Sequence, residues 1–447
     1  MNVSISKYIS DYKQIARLGL PIIIGQAGTI VVGFADNIMV GNYGTIELSS
    51  ASFVNNTFNM ANLACMGFSY GVTPLVGALF SRGKNDGIGM VMRNALLVNL
   101  IYTLLVMVVM TLMYLNIDRL GQPVELLPYI KPYFILALLG LLPMTIFNVL
   151  AQCSYGMKAS TMPMCIILIA NVLNVVGNYM LLYGHFGAPE LGLFGAGIST
   201  LFSRIFTAIC ICLIFIYSKQ FREISHYIRQ SSWNFIEQKL IFTTSLPISL
   251  QMLFETAAFS CAAIFAGWMG KIELAAFQVM MSVGTLGFCF YYSLGSATSV
   301  LVANAAGRSD MHAMRRIGFA GYHLTLILCL LASAAFVLLG RNLVGLFTPD
   351  SDVITMCLTL ILPLICYQLG DATQVNFANA LRGTASVMPM LWIAFFSYII
   401  VGLPASYIIT FTFDGGIIGL FYSFSVSLFL AGILFLSFFL NYTKSRE

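Results

Sequence analysis

Residues 48–81 read LSSASFVNNTFNMANLACMGFSYGVTPLVGALFS, a stretch without Asp, Glu, Lys or Arg. A membrane-spanning helix needs about 20 mainly apolar residues, so this stretch is long enough to cross a bilayer. Eight further charge-free runs resemble it, and three more are interrupted by one charge each, at Arg204, Glu255 or Asp371. The sequence therefore predicts an all-α integral membrane protein with twelve transmembrane helices. The predicted spans are 18–40, 48–81, 94–117, 132–157, 159–189, 191–217, 240–269, 274–307, 317–340, 353–381, 383–413 and 415–443.

The composition of the whole chain agrees with this interpretation. Of 447 residues, 59% are hydrophobic and only 9% are charged, whereas soluble globular proteins carry about 25% charged residues. This excludes a soluble enzyme, a disordered chain and a nucleic-acid-binding domain. The ten cysteines lie within apolar runs, and the closest pair is Cys210 and Cys212. We interpret them as small apolar residues, which predicts neither a disulfide scaffold nor a metal site.

The basic residues predict the topology. Seventeen of the 22 Lys and Arg residues fall on the N-terminus, every second loop and the C-terminus, whereas four fall on the opposite side and Arg204 lies within a helix. Cytoplasmic loops of membrane proteins carry an excess of Lys and Arg. We therefore expect a multi-pass protein of the cell (inner or plasma) membrane with both termini in the cytoplasm. The basic N-terminus precedes an apolar stretch too long for a signal peptide, and we interpret it as a retained first helix.

The two halves of the sequence repeat each other at an offset of 226 residues. The matched pairs are Gly41–Leu48 with Gly267–Leu274, Leu20-Pro21 with Leu246-Pro247, and Ala159–Met164 with Ala385–Met390. We predict a six-helix bundle at 1–217, a cytoplasmic linker at 218–238 and a second six-helix bundle at 239–447. With six helices each, the halves share one orientation and are expected to be related by a pseudo-twofold axis. Such duplication suits a carrier that alternates access by rocking two bundles.

Three acidic residues lie within predicted spans and have no acidic counterpart in the other repeat. Asp36 aligns with Ala262, Glu255 with Thr29, and Asp371 with Thr145. An ionised carboxylate in hydrocarbon costs several kcal/mol, so such residues are expected to face a cavity on an ion or substrate path. The alternative is a satisfied interhelical hydrogen bond or, for Asp36, a position near the membrane surface.

Polar and aromatic side chains cluster near these acids in the sequence. Asn171, Asn174 and Asn178 share one face of helix five and are predicted to line water or to pair with Asp36; helix packing is the alternative. Aromatic faces suit organic cations, although lipid-facing or core positions remain open for each ring. The candidate rings are Phe254, Phe259, Phe288, Phe290, Tyr291 and Tyr292, with Tyr367 one turn from Asp371. Arg204 has no evident partner, and no catalytic or nucleotide-binding motif occurs in an interpretable context.

Several motifs resemble those of a known family. They are Ala35–Gly44 (ADNIMVGNYG) at the end of helix one, the Leu-Pro pair that opens each half, and Gly195–Thr200 (GAGIST) in helix six. With twelve helices in two repeated halves, the chain resembles the multidrug and toxic compound extrusion (MATE) transporters over essentially its whole length. Glu255 with Asp371 is similar to the NorM-type branch, in which drug export is coupled to Na⁺ or H⁺ entry.

The resemblance also implies roles for particular residues. Asp36 with Asn174, Asn178 and Thr200 would form a polar network for cation coupling in the first half. Glu255, Asp371 and Tyr367 would form the cation site of the second half, where the two acids could bind Na⁺. Phe259 and Phe288, together with the two acids, would contact the drug. Asn178 stands where some relatives carry a second acid. Models of the family that require an acidic pair in the first half therefore do not apply directly to this sequence.

The sequence thus predicts a secondary active efflux transporter rather than an enzyme. We expect a monomer in the lipid bilayer that exports cationic amphipathic drugs, uses no cofactor beyond Na⁺ or H⁺ as coupling ion, and binds no nucleic acid. One alternative is a lipid-linked oligosaccharide flippase of the same superfamily, although such proteins often carry more basic residues in the cavity than Arg204 alone. A membrane-embedded enzyme is the other alternative, but the acids are spread over helices one, seven and ten.

Overall fold

The computed structural model describes residues 5–119 and 121–444, and the regular structure within these residues is helical. Eleven helices are long and apolar enough to cross a membrane, and a twelfth span is made of Ser351–Thr359 and Ile361–Gly383, which meet at an angle of 53°. The prediction of an all-α protein with twelve transmembrane helices is confirmed when this bent pair counts as one span. The spans, labelled α1 to α12 in chain order, are Ser6–Tyr43, Thr45–Ser81, Asn85–Leu115, Val124–Gly156, Thr161–Tyr183, Gly192–Tyr217, Phe235–Met269, Lys271–Gly307, Met311–Gly345, the bent pair, Met388–Thr412 and Gly416–Lys444.

The helices extend beyond several of the charge-free runs. The first helix already begins before Lys7, although the predicted span starts at residue 18. Only the part of a helix in hydrocarbon must be apolar, so charged turns can continue it into water. Within the spans, large apolar side chains point outward, as Leu105, Val109 and Leu112 do on α3 with 60%, 64% and 57% exposure. Surfaces of this kind suit lipid contact.

The chain forms two compact units. The N-unit is Ile24–Ser249, and the C-unit contains the described residues up to Ile23 together with those from Leu250 onward. Both unit boundaries fall inside a helix, α1 at Ile23 and α7 at Ser249, and these two positions are again 226 residues apart. The bundle boundaries at 217 and 239 stay predictions, because they were placed from the polar linker sequence and the sequence repeat, whereas the two units are defined by packing.

Hydrogen bonds explain why the first part of each of these helices belongs to its unit. In the C-unit, Arg316 Nε donates to Asp11 Oδ2 at 2.5 Å, and the Tyr12 hydroxyl lies 2.9 Å from His323 Nδ1. In the N-unit, the Ser249 hydroxyl on α7 donates to the backbone oxygen of Ala64 at 2.9 Å. The predicted linker contains a short helix, Arg222–Gln230.

The repeated GxxE motif has a structural reason in both halves. Gly44 and Gly270 each precede the first residue of a helix, α2 or α8. Three residues later, the carboxylates of Glu47 and Glu273 fold back over these glycines, where a Cβ atom would lie 1.9 or 2.3 Å from a carboxylate oxygen. A glutamate at this position resembles half of a capping box. Glycine leaves room for the carboxylate, whereas a side chain at this position would force the flexible glutamate to move away.

Candidate functional site

The N-unit contains a polar cluster around Asp36. Asn178 Nδ2 donates to Asp36 Oδ1 at 2.6 Å. The Asn174 amide lies between Asp36 and Thr200; the orientation that satisfies both of its atoms has Nδ2 donating to Asp36 Oδ1 at 2.9 Å and Oδ1 accepting from the Thr200 hydroxyl at 3.2 Å. Asn174 and Asn178 are buried, whereas Asp36 and Thr200 are half-buried. The structure therefore brings these four sequence-predicted residues together.

Close helix packing explains how α5 and α6 build this cluster. Asn174 and Asn178 are four residues apart and so share one face of α5. Between them, Gly177 lies against Ser199 of α6, where a Cβ atom would approach the Ser199 hydroxyl to 2.4 Å. That hydroxyl donates to the backbone oxygen of Asn174 at 2.8 Å. Asn171 belongs to the same stripe in the sequence, but its buried Nδ2 has no hydrogen-bond partner among the described residues.

The C-unit contains a second cluster around Glu255 on α7. Gln251 Nε2, one turn earlier, donates to Glu255 Oε2 at 2.9 Å. Gln374 Nε2 on α10 donates to Glu255 Oε1 at 3.0 Å and to the Tyr398 hydroxyl of α11 at 2.6 Å. The carboxylate is thus held by amide donors from two helices, and no basic side chain lies within 4.0 Å of it in the described part of the chain.

Asp371 on α10 differs from Glu255 in its contacts. It is 1% exposed, and its Oδ2 has no hydrogen-bond partner in residues 5–119 and 121–444. Asp371 lies three residues before Gln374, so the two residues are neighbours on one side of α10. This is the side on which Gln374 contacts Glu255. A buried carboxylate oxygen without a donor requires an explanation such as a bound proton or ion. Asp371 is therefore a candidate cation ligand.

The aromatic candidates separate into two groups. The Phe259 ring stacks on Phe424 at 5.0 Å and meets Tyr367 edge-on at 6.1 Å, so Phe259 and Tyr367 are neighbours as the resemblance implies. Phe288 stacks instead on Tyr292 at 5.4 Å and packs against a buried cluster that includes Ala372 of α10. Whether Phe259 or Phe288 contacts a drug stays a prediction.

Metal ligation by three acidic, His or Cys side chains does not occur among the described residues. A Na⁺ ion bound here would therefore need Glu255 or Asp371 together with neutral oxygens, which are ligands that hard cations accept. Gln251 Oε1 and Gln368 Oε1 are buried in the same unit without a donor in the part of the chain that is described. Neutral acceptors are thus present one turn before Glu255 on α7 and one turn before Asp371 on α10.

Comparison with known proteins decides the family. The profile of the MatE family matches residues 21–180 and 247–408, one segment in each half. The chain belongs to the MatE family.

Similar proteins cover nearly the whole of this MatE chain. It is 29% identical to "Probable multidrug resistance protein NorM" of Xanthomonas axonopodis pv. citri (strain 306), over 89% of the chain and 87% of the relative. It is 27% identical to "Multidrug resistance protein MdtK" of Pectobacterium atrosepticum, over 91% and 89%. A solved structure, "Outward-facing conformation of a multidrug resistance MATE family transporter of the MOP superfamily", has a TM-score of 0.87 at 20% identity and covers 98% and 97%. The predicted family and the transporter class are confirmed.

Three residues of the MatE chain's polar clusters escaped prediction: Gln251, Gln374 and Tyr398. The two glutamines lie one turn from Glu255 and Asp371 in the sequence, and this spacing could have identified them. Tyr398 gives no such signal, because its position depends on a π-helical segment, Phe395–Gly402, within α11. Such segments are frequent at functional sites but have no sequence pattern of their own.

Proposed function

We propose that the protein is a secondary active antiporter that exports cationic amphipathic drugs in exchange for Na⁺ or H⁺ by alternating access. The observation that carries this proposal is the C-unit cluster, in which Glu255 and Asp371 lie within apolar spans and Asp371 Oδ2 is buried without a donor from any described residue. Intramembrane carboxylates of this kind mark ion and substrate paths. The relatives named as multidrug resistance proteins support drugs as the cargo.

Coupling follows from competition for the same carboxylates. A cation that enters from outside neutralises Glu255 or Asp371, which removes the charge that attracts a cationic drug, and the drug is released. After the carrier faces the cytoplasm, the cation leaves and the acids can bind another drug. Each entering charge contributes about 2.3 kcal/mol per 100 mV of membrane potential, before any concentration gradient is counted.

The remaining site residues have supporting roles in this proposal. Tyr367 and Phe259 provide aromatic faces, which attract organic cations through cation–π contacts. Phe288 would extend the apolar surface on the other side of α10. In the N-unit, Asp36 with Asn174, Asn178 and Thr200 would bind a coupling cation. Asp36 already accepts amide hydrogen bonds, so the cation there would replace donors rather than fill an unpartnered position.

The decisive experiment is drug export from proteoliposomes with Na⁺ and proton gradients imposed separately. Ethidium export driven by one gradient and not by the other would identify the coupling ion. Glu255→Gln and Asp371→Asn are expected to abolish driven export while the protein still inserts. Asp118→Asn, which removes an exposed carboxylate bound to Lys131, is the matched control and should leave export unchanged. Full gradient-driven export by the E255Q/D371N double variant would refute the proposal.

We also propose a cell-membrane location, with both termini in the cytoplasm, and a monomeric state. The distribution of basic residues supports the orientation. Labelling of intact cells by a membrane-impermeant thiol reagent tests it. Lys131→Cys, on the predicted outer side, should react above the background of the parent chain, and Lys444→Cys should not. The reverse pattern would overturn the orientation.

A further inference from the structure

Arg204 lines a small polar cavity inside the N-unit. The cavity holds about 40 Å³ and is lined by residues of α2, α4 and α6. Its polar side chains are Asn55, Asn62, Tyr133, Thr200 and Arg204, and none of its ten described lining residues is Asp or Glu. A single water needs only about 10–15 Å³ by this kind of measure, so the cavity admits an ion or a small group. Because Asn55 is exposed, the cavity is not sealed within the core.

The charge of Arg204 has no close counter-charge. Within the described residues, no carboxylate lies within 4.0 Å of its guanidinium group. The side chain passes over Gly140, which separates the helical segments Leu127–Leu139 and Leu141–Gly156 of α4. A Cβ atom on Gly140 would lie 2.9 Å from Nη1. The position 226 residues later is Leu430, so the repeated scaffold does not require a cation here. An arginine within a membrane span is costly unless it is paired, and it is therefore a candidate functional residue.

The neighbours of Arg204 supply further hydrogen-bond donors. The Tyr133 hydroxyl donates to Asn55 Oδ1 at 3.5 Å, which occupies that acceptor and leaves the Asn55 Nδ2 hydrogens for another acceptor. Thr200 lies one turn before Arg204 on α6 and also bonds to the Asp36 cluster through Asn174. The N-unit thus places one acid and one base on either side of Thr200. The amides of Asn55 and Asn62 line the cavity beside the base, and Asn62 Oδ1 is buried without a donor among the described residues.

We propose that this cavity is an anion subsite, in which Arg204 binds a single monovalent anionic group. The anion is the carboxylate of a zwitterionic drug, whose cationic part would lie toward Asp36, or a free chloride ion. The volume admits a carboxylate or chloride but not a ring system. Guanidinium groups bind carboxylates through paired, charge-assisted hydrogen bonds, which are stronger than neutral ones. The drug-carboxylate form of this proposal rests on the proposed efflux function.

Export of a matched drug pair tests the carboxylate source. The probes are a zwitterionic quinolone and its methyl ester, which lacks the carboxylate, with wild type, Arg204→Gln and Arg204→Lys in proteoliposomes. We expect R204Q to raise KM for the acid at least about tenfold and to change KM for the ester less than about twofold. R204K keeps the positive charge but lacks the paired N–H donors of the guanidinium group, so its KM for the acid should lie between those of wild type and R204Q. Arg119→Gln, an exposed basic residue of the same unit, is the control. Equal loss for acid and ester would show a structural role and overturn the carboxylate subsite.

Thermal stability in detergent tests the free-anion source and does not depend on transport. A ligand that binds the folded state raises Tm. If chloride is the ligand, chloride should raise the Tm of wild type relative to gluconate and should not raise the Tm of R204Q. The ratio of KM for the acid to KM for the ester should then be the same in both proteins. Absence of both the chloride effect and the acid–ester difference overturns the anion subsite. Absence of ethidium export by wild type overturns the proposed function instead, and the chloride effect would then still support the subsite.

Discussion

Asp36 in the N-unit and Asp371 in the C-unit are both aspartates within apolar helices, but their surroundings differ. Asp36 accepts hydrogen bonds from the amides of Asn178 and Asn174, and Arg204 lies one helical turn beyond the Thr200 that completes its cluster. Asp371 is more deeply buried and has an oxygen without a donor in the described chain. Its neighbour in charge is a second acid, Glu255, which accepts two amide hydrogen bonds.

The difference in charge suggests a division of roles between two units that share one repeated scaffold. The N-unit cluster combines one acid with one base, so it carries little net charge when both are ionised. The C-unit combines two acids, Glu255 and Asp371, with one buried base, Arg382 of α10, which interacts electrostatically with Glu255. One negative charge is thus left in excess when all three are ionised, and this favours cations or protons. The C-unit is therefore the better candidate for cation coupling, and the N-unit is the better candidate for zwitterionic ligands.

The largest effect on transport is expected when Asp371 is replaced by the residue found at the same position of the other repeat. Asp371 corresponds to Thr145, which is buried and satisfied by the Thr103 hydroxyl at 2.7 Å. Asp371→Thr should reduce gradient-driven ethidium export at least about 100-fold, which corresponds to about 2.7 kcal/mol. Its free energy of unfolding should not fall, because a buried carboxylate oxygen without a donor is removed.

The reciprocal variant tests the other side of that exchange. Thr145→Asp should lower the free energy of unfolding by several kcal/mol, since it buries a carboxylate beside the Thr103 hydroxyl and the Cys65 thiol, neither of which carries a positive charge. Unfolding in a denaturing-detergent titration measures both effects. Thr145→Ser keeps the hydroxyl and is the control. A D371T variant that exports normally would show that the unpartnered acid is not part of the transport path.

Removal of Gln374 should have the next largest effect, because this amide donates to two acceptors in the C-unit. Gln374→Leu leaves Glu255 Oε1 and the Tyr398 hydroxyl without their donor, and an unsatisfied buried polar group costs about 1–3 kcal/mol, more when it is charged. We expect a loss of about 3 kcal/mol in the free energy of unfolding. Gln374→Glu would keep the shape but add a third acid, and it should be at least as destabilising. An unchanged Q374L variant would contradict the observed hydrogen bonds.

Two sequence features predicted members of these clusters: charged residues within apolar spans and the helical spacing of polar residues. Asp36, Glu255 and Asp371 stand out because charges are rare in the spans, and Asn174 and Asn178 follow from helical spacing. The same spacing includes Asn171 in the stripe, but its Nδ2 has no hydrogen-bond partner among the described residues. Helical spacing predicts which residues share a face and does not predict the partner opposite each of them. Tyr398 requires the extra residue of a π-helical turn, and no periodic pattern predicts that.

The span count was also predictable, whereas the unit boundaries were not. Hydrophobic length determines how many helices can cross a membrane. The assignment of residues before Ile24 to the C-unit depends on particular tertiary contacts such as Arg316 with Asp11. Such pairs are more than 300 residues apart in the sequence, and nothing in the local pattern at Asp11 specifies its partner.

Two asparagines of the α5 stripe allow a matched test within the N-unit. Asn178→Leu removes a hydrogen bond of 2.6 Å to Asp36, and hydrogen bonds to charged groups contribute about 1.5–3 kcal/mol. We expect the free energy of unfolding to fall by about 2 kcal/mol. Asn171→Leu should change it by less than about 0.5 kcal/mol or increase it, because its Nδ2 has no partner among the described residues. Equal effects of the two variants would indicate that the stripe acts as a packing surface and not as an Asp36 ligand.

Tyr398→Phe should have the smallest effect and sharpens the contrast with Gln374. The variant removes the hydroxyl that accepts from Gln374 at 2.6 Å but leaves the bond from Gln374 to Glu255 intact. Since one neutral hydrogen bond contributes about 0.5–1.5 kcal/mol, we expect a loss of about 1 kcal/mol in the free energy of unfolding. Combining Y398F with Q374L should cost little more than Q374L alone, because both remove the same bond. Fully additive losses would mean that Tyr398 stabilises the C-unit through another contact, and the cluster would then consist of Gln251, Gln374 and the two acids only.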